Sequence, residues 1–176
     1  MLAARFEALA GGVDDWDAPS PVPGWAARDV VHHLAAWLPG FLTNLGLPLP
    51  SSATEEPVAR WRAHSAAVQS LLEDPARAGQ ILATGMGPMR ADETLERFYL
   101  ADIYLHSWDL AKASGQAVGW DPAETLATFA AMSPAREMLA ASGQFGTPVL
   151  LDESHSPEER LVALIGRDPA WAPPGH

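Results

Sequence analysis

Residues 26–45 read AARDVVHHLAAWLPGFLTNL, and their apolar side chains recur every three or four positions. The recurring residues are Val30, Val31, Leu34, Trp37, Leu38, Phe41, Leu42 and Leu45. This spacing predicts a long amphipathic helix with one apolar side. Asp29 falls in the first turn, where a carboxylate suits the positive end of the helix dipole. Pro39 and Gly40 predict a kink or a division of this helix.

A second helical stretch, DETLERFYLADIYLHSWDLAKA, covers residues 92–113 without glycine or proline, and Gly115 follows as a stop signal. One stripe along this helix mixes apolar and ionisable residues: Leu95, Phe98, Tyr99, Asp102, His106, Asp109 and Ala113. Unpaired ionisable groups are costly to bury, so the polar members of this stripe need partners.

The rest of the chain alternates shorter helices with proline- and glycine-rich connectors. Residues 14–25, DDWDAPSPVPGW, predict a rigid extended loop that delivers Trp25. Residues 79–89, GQILATGMGPM, predict a connector with one strand-like piece. Further helices are predicted over residues 2–10, from Thr54 and Pro57, from Asp121 through a break at Pro134 to Leu139, and after a cap at Ser156. The inner face of the helix after Pro57 is predicted to hold Val58, Trp61, Val68, Leu71 and Leu72.

These elements predict an all-α fold, a four-helix bundle in a single domain over residues 1–176. No apolar run approaches the roughly 20 residues of a membrane span, and the N-terminus lacks a signal peptide's pattern, so we expect a cytoplasmic protein without membrane partners. A formal net charge of -11 disfavours nucleic-acid binding. With no cysteine in the chain, any metal must bind histidines and carboxylates. Apolar faces of the bundle could also pair two copies into a homodimer.

The chemistry centres on two histidine-bearing helices. Asp102 and His106 are four residues apart, so both side chains project from one helix face and could share a metal ion or form a simple ion pair. His33 lies on the apolar side of the first long helix, as a third ligand or a hydrogen-bonded histidine at the core edge, whereas His32 is expected in solvent. If the helices pack together, His33, Asp102 and His106 form a three-ligand site with an open position.

The chain resembles a known family in two motifs. PSPVPGWAARDVVHHLAAW, residues 19–37, and DIYLHSWDLAKASG, residues 102–115, resemble patterns of the DinB/YfiT-like superfamily, within it the actinobacterial mycothiol-dependent maleylpyruvate isomerase N-terminal type. The closing LVALIGRDPAW also resembles tails of single-domain members. The resemblance implies a bundle that binds a divalent metal, usually zinc or nickel, through His33, Asp102 and His106. Asp102 stands where the family often has Glu or His.

Other polar residues near the motifs have several interpretations. Asp109 could orient His106 or pair with Lys112, and Asp29 could be a first-turn carboxylate, a partner of a ligand or an extra ligand. We expect His64, His155 and His176 at the surface, since they fall outside the motifs. Whether Trp25, Trp37 and Trp108 form a pocket is left open by the sequence.

Two functions follow from this pattern. The first is a metal-dependent enzyme that uses a low-molecular-weight thiol such as mycothiol, or a water, for S-transfer, isomerisation or hydrolysis of a small molecule. We expect no second domain after Gly143, which makes maleylpyruvate a doubtful substrate. The alternative is a non-catalytic module in which the ion is structural or is sensed together with a small ligand. A third interpretation has no metal, with the motifs serving packing and hydrogen bonding.

Overall fold

A computed structural model of the protein describes residues 2–173, and these residues are mostly helical. The longer helices are α1 (Leu2–Gly11), α2 (Ala27–Asn44), α3 (Pro57–Glu73), α6 (Ala101–Ala113), α7 (Pro122–Met132) and α9 (Pro157–Leu164). Short helices are α4 (Pro75–Ala78), α5 (Ala91–Thr94) and α8 (Arg136–Ala141). The predicted all-α bundle is confirmed. In this part of the chain no helix is long and apolar enough to cross a membrane.

The main core lies where α1, α2, α3 and α6 pack against one another. Phe6 of α1 and Trp61 of α3 are fully buried with ring centroids 4.5 Å apart. The Trp61 indole also donates a hydrogen bond to the Ala3 carbonyl, which satisfies its polar atom inside the core. A second cluster joins α6 to α9 through Tyr104, Leu105, Leu161 and Ile165. Helix α6 therefore lies between two apolar clusters, and its residues 103–111 are all buried.

Helix α2 runs without interruption through Pro39, so of the two predicted alternatives at Pro39 and Gly40, a kink or a division, the division is wrong. Proline removes one intrahelical donor, but it leaves the rest of the helix free to form. Leu38 and Leu42 on either side are almost fully buried, and this packing keeps the helix together across the proline.

The second long helical stretch begins at Ala91 and contains a π-helical segment, Leu95–Leu100, between α5 and α6. The prediction of a helix from Asp92 to Ala113 is confirmed, but its periodicity gave no sign of the π segment. Each π turn takes in an extra residue, which shifts the register of the side chains that follow. The segment ends two residues before Asp102, and Tyr99 within it is buried.

The connector after α4 forms a complete hairpin rather than a single strand-like piece. Strands β1 (Ile81–Thr84) and β2 (Gly87–Arg90) pair antiparallel, with Leu82 opposite Met89. The two-residue turn contains Gly85, and Gly87 adopts a φ of 105°, which a glycine adopts without steric cost. Glycine composition suggested a loop here, but glycines also form the tight turn that a hairpin needs.

Three details of α3 differ from prediction. Its N-cap is Glu56 rather than Thr54, because the Glu56 carboxylate accepts hydrogen bonds from the backbone N–H groups of Val58 and Ala59. Leu72 is 39% exposed rather than on the inner face. His64, expected at the surface, is buried at 1% exposure and takes a place on the inner face of this helix.

The C-terminal helices follow the predicted caps and breaks. The Asp121 side chain caps α7, a 3-10 turn at Ser133–Ala135 interrupts the helix at Pro134, and α8 resumes it. Ser156 caps α9, and Glu159 accepts from the backbone N–H of Ser156 in a reciprocal capping box. Helices α7 and α9 pack together beside α6.

Candidate metal centre

The three predicted ligands come together between α2 and α6. The Nε2 atom of His33 lies 3.2 Å from Oδ2 of Asp102, and Nε2 of His106 lies 3.5 Å from Oδ1 of the same carboxylate. One donor atom from each of the three side chains lies within 4.8 Å of the other two. The four-residue spacing on α6 and the packing of α2 against it produce this arrangement, as the sequence predicted.

The donor set fits a divalent ion. Two imidazoles and one carboxylate form a common set of protein ligands for catalytic zinc, with metal–ligand distances near 2.1 Å. Two donors at that distance from a tetrahedral ion lie about 3.4 Å apart. The distance of 3.2 Å from His33 Nε2 to Asp102 Oδ2 is close to this spacing, while the 3.5 Å contact of His106 is to the other carboxylate oxygen, Oδ1. The same contacts also match the alternative of a histidine–carboxylate network without a metal.

The site is open on the side of α2. The His33 side chain is 32% exposed and the Asp102 side chain 22%, whereas the His106 side chain is 10% exposed. An open cavity of about 550 Å³ adjoins His33 and is lined also by Gly24, Trp25, Asp29, His32, Ala36 and Trp37. A small molecule could therefore reach His33 from solvent, which suits an open coordination position.

Two tryptophans form the walls of the site. The Trp25 ring stacks on His106 with centroids 5.7 Å apart and also contacts His33 at 5.0 Å. The Trp37 indole donates a hydrogen bond of 2.8 Å to Oδ2 of Asp102 and so fixes that carboxylate from the α2 side. Trp25 and Trp37 thus line one cavity with His33, while Trp108, the third tryptophan considered from sequence, lines a different one.

The loop before α2 places Trp25. Pro23 and Gly24 occupy the centre of a β-turn that the Trp25 N–H closes by donating to the Val22 carbonyl at 3.0 Å. Gly24 has a φ of 80°, as glycine takes at the third position of a type II turn. The proline-rich stretch is therefore a loop, as predicted, and its turn directs the indole onto the histidines.

Asp109 orients His106 by contacting Nδ1, the ring nitrogen that does not face Asp102. Its Oδ2 atom lies 2.8 Å from Nδ1 of His106, which leaves Nε2 of the ring directed to Asp102. Arg167 donates two hydrogen bonds to the same carboxylate, at 2.9 and 3.1 Å. Burial raises the pKa of Asp109, but the hydrogen bonds from His106 and Arg167 outweigh it and hold this pKa below its usual value. Asp109 is therefore a buried carboxylate anion against His106.

The structure also decides the open interpretations of the neighbouring residues. Asp29 accepts a hydrogen bond from the Ala26 backbone N–H at 2.8 Å, as the first-turn interpretation predicts. Lys112 lies over the Trp108 ring rather than against Asp109. His32 and His155 are exposed, as predicted. His176 lies outside the described residues.

His64 and Arg167 are the residues that sequence reasoning missed near this site. His64 Nε2 lies 2.7 Å from the Tyr99 hydroxyl, and burial lowers the pKa of His64 from 6.5 to about 4. Its position between Trp61 and Val68 at helical spacing was a signal of burial. Arg167 carried no such signal, because it is 58 residues from Asp109 in the sequence and only the fold brings the two side chains together.

Comparison with known proteins places the chain in a family. A family model described as the mycothiol maleylpyruvate isomerase N-terminal domain matches residues 1–111. The chain belongs to this family. The matched range contains His33, Asp102 and His106, together with Asp109, whereas Arg167 lies beyond it. The family's name connects its members with mycothiol-related chemistry.

Two relatives have similar length but no assigned function. They are uncharacterized proteins from two strains of Mycobacterium tuberculosis, each 28% identical over 175 residues, which cover 92% of this chain and 91% of the relative. No solved structure gives a significant match.

Proposed function

We propose that this protein binds a divalent ion, zinc or nickel, through His33, Asp102 and His106, and uses it in the chemistry of a low-molecular-weight thiol such as mycothiol. The observation that carries the proposal is the convergence of three donors from two helices beside an open cavity. Membership of a family named for a mycothiol enzyme supports the choice of a thiol. The reaction class is S-transfer or isomerisation of a small molecule.

The chain's own residues would hold and orient the ion. Two imidazoles and one carboxylate leave room for a further ligand, and the pair Asp109–Arg167 keeps the His106 ring in place. A bound ion would supply a Lewis acid that lowers the pKa of a thiol or a water near it. Since the protein has no cysteine, the thiol of such a reaction must come from the small molecule.

The residues around the opening would bind the organic part of that molecule. Trp25 and Trp37 offer indole surfaces on both sides of His33, and His32 adds a polar group at the exposed rim. Asp29 accepts from the Ala26 backbone N–H through Oδ2, so only its other oxygen is available to a ligand at the rim. Such a mixture of aromatic walls and few polar groups is typical of small-molecule sites.

Cobalt-loaded protein offers a direct test of thiol binding. Addition of mycothiol should produce a thiolate-to-cobalt charge-transfer absorption that saturates at one thiol per chain, because the chain contributes no thiolate of its own. Asp102→Ala protein with the same added cobalt should show no such saturation. Metal-loaded wild-type protein that gives neither this absorption nor thiol-dependent turnover above the Asp102→Ala control would contradict the proposal.

A structural ion is the second candidate, favoured by the placement of the donors on two helices. His33 belongs to α2 and both other donors to α6, so a bound ion would fasten these helices together. Folding would then depend on the metal, and chelation should lower the midpoint of thermal unfolding. An unchanged midpoint after complete removal of the ion would exclude this candidate and leave the thiol proposal intact.

A further inference from the structure

A second cavity, of about 230 Å³, opens beside α6 away from the metal centre. Its walls are the C-terminal half of α6, the loop of residues 116–120 and the first turn of α9. Trp108 lines it, and this residue lies about 200° around the helix from His106, since each residue of an α-helix turns by about 100°. The two cavities therefore open on different sides of α6.

Two fixed indoles form the apolar walls of the second cavity. The Trp120 ring stacks on Tyr104 with centroids 4.4 Å apart, and its Nε1 atom donates to the Ser107 hydroxyl at 3.0 Å. Trp108 is 1% exposed, and its Nε1 atom donates to Oε1 of Glu158 at 2.9 Å. Both rings are held by packing and by a hydrogen bond, so these walls exist before any ligand binds.

The loop that closes the cavity is held to α1. The Gln116 side chain donates to the Leu9 carbonyl at 2.9 Å, and Arg5 donates to the Gly119 carbonyl at 3.1 Å. Gly115 and Gly119 have φ values of 67° and 65°, which allow the tight course of the loop. These contacts fix the third wall, as a preformed binding site requires.

Two opposite charges line this cavity without pairing to each other. Lys112 is the only lysine among the 11 Lys and Arg residues of the chain. Its ammonium group lies 5.3 Å from the centre of the Trp108 ring and forms no ion pair or hydrogen bond within residues 2–173. The Glu158 carboxylate uses one oxygen for Trp108, and no basic group of the described chain lies within ion-pair distance of it.

We propose that this cavity binds a small zwitterion of amino-acid size, with its carboxylate on Lys112 and its ammonium group on Glu158. A ligand with two separated charges can pair with both residues at once, which the two side chains do not do with each other. The volume of about 230 Å³ lies below the roughly 300–1,000 Å³ of typical drug-sized sites and limits the occupant to amino-acid size. The indole walls would cover a short apolar side chain. This site is independent of the metal centre.

A titration with L-alanine, followed by NMR on 15N-labelled protein, tests the proposal. Two of the seven tryptophan indole N–H signals belong to Trp108 and Trp120, and these should shift to saturation. Lys112→Met and Glu158→Gln should each weaken binding by roughly tenfold to a hundredfold, as expected for loss of a charge-assisted hydrogen bond. Methionine retains an apolar stem over Trp108, and glutamine retains an acceptor for its indole, so both variants should keep the fold.

Single-charge analogues and a control variant sharpen this test. Propionate and ethylamine each carry one charge of L-alanine and should bind at least about tenfold more weakly. Glu153→Gln removes an exposed carboxylate from the loop before α9, outside the cavity lining, and should bind L-alanine like wild type. The absence of saturable shifts, wild-type affinity in Lys112→Met or Glu158→Gln, or equal affinity for propionate would each overturn the proposal.

Discussion

His106 and His64 are both buried histidines on long helices, but their surroundings differ. His106 contacts two carboxylates, Asp102 and Asp109, and its ring stacks on Trp25, which lines the open cavity. His64 contacts the Tyr99 hydroxyl, and its Nδ1 atom has no hydrogen-bond partner in the described chain. Burial also raises the pKa of Tyr99, with the charge of Asp102 adding to the effect. Carboxylate partners, rather than burial itself, therefore distinguish a candidate metal ligand from a core histidine.

The distinction between the two histidines is tested most directly by removing the Asp102 carboxylate, which contacts both His33 and His106. We expect Asp102→Ala to lower zinc affinity by more than roughly a hundredfold, since loss of a ligand should exceed the 10- to 100-fold effects of its outer partners. Competition with a chromophoric chelator measures this affinity. The matched variant His64→Gln should bind zinc like wild type, and comparable losses in the two variants would contradict the distinction.

His64 should contribute to the pH dependence of the free energy of unfolding. Its pKa is 6.5 in the unfolded chain and about 4 in the folded protein, so between these values only the unfolded state takes up the proton. The free energy of unfolding should therefore fall as the pH drops from 6.5 to 4, by about 3 kcal/mol from this residue. Urea unfolding of metal-free protein at several pH values measures the slope. His64→Gln should remove this contribution, and an unchanged slope would show that His64 is not a buried neutral group.

The contact of His106 with Asp109 gives a second test of the difference between His106 and His64. Asp109→Asn keeps an oxygen that can accept from His106 Nδ1 but removes the negative charge. We expect zinc affinity to fall by roughly 10- to 100-fold, the usual effect of losing a carboxylate behind a histidine ligand. The same chelator competition applies. Wild-type affinity in this variant would mean that Asp109 and Arg167 serve packing alone.

A smaller effect on zinc affinity is expected at Arg167, which contacts Asp109 rather than a candidate ligand. Arg167→Lys keeps the positive charge near Asp109 but cannot reproduce the two parallel hydrogen bonds of the guanidinium group. Zinc affinity should fall by less than about tenfold, because the contact of Asp109 with His106 remains. A loss larger than that of Asp109→Asn would contradict this order of importance.

Local signals in the sequence predicted most of the helices and the three candidate ligands. The spacing of apolar residues predicted α2, and proline with a capping residue marked the starts of α7 and α9. His33, Asp102 and His106 were candidates because Asp102 and His106 share one helix face and His33 lies on the apolar side of another helix, and the family resemblance then implied all three as ligands. Such features depend on neighbours in the chain, and a sequence displays them directly.

The features that were missed depend on contacts between distant segments. Pro39 was expected to kink or divide α2, but the helix is not divided, because packing of its neighbours in the core outweighs the lost hydrogen bond. His64 was placed at the surface because a histidine outside a motif is usually solvated, whereas here Tyr99 from another helix provides its partner. The Arg167–Asp109 pair joins residues 58 positions apart. Without the fold, no local pattern identifies either contact.

Metal content tests the central claim most directly. Untagged wild-type protein, measured by inductively coupled plasma mass spectrometry, should contain close to one divalent ion per chain. A triple variant with His33→Ala, Asp102→Ala and His106→Ala should contain none, while His64→Gln should match wild type. If wild-type protein holds no ion even after incubation with zinc and nickel, the three side chains form only a hydrogen-bonded cluster and the account of a metal centre is contradicted.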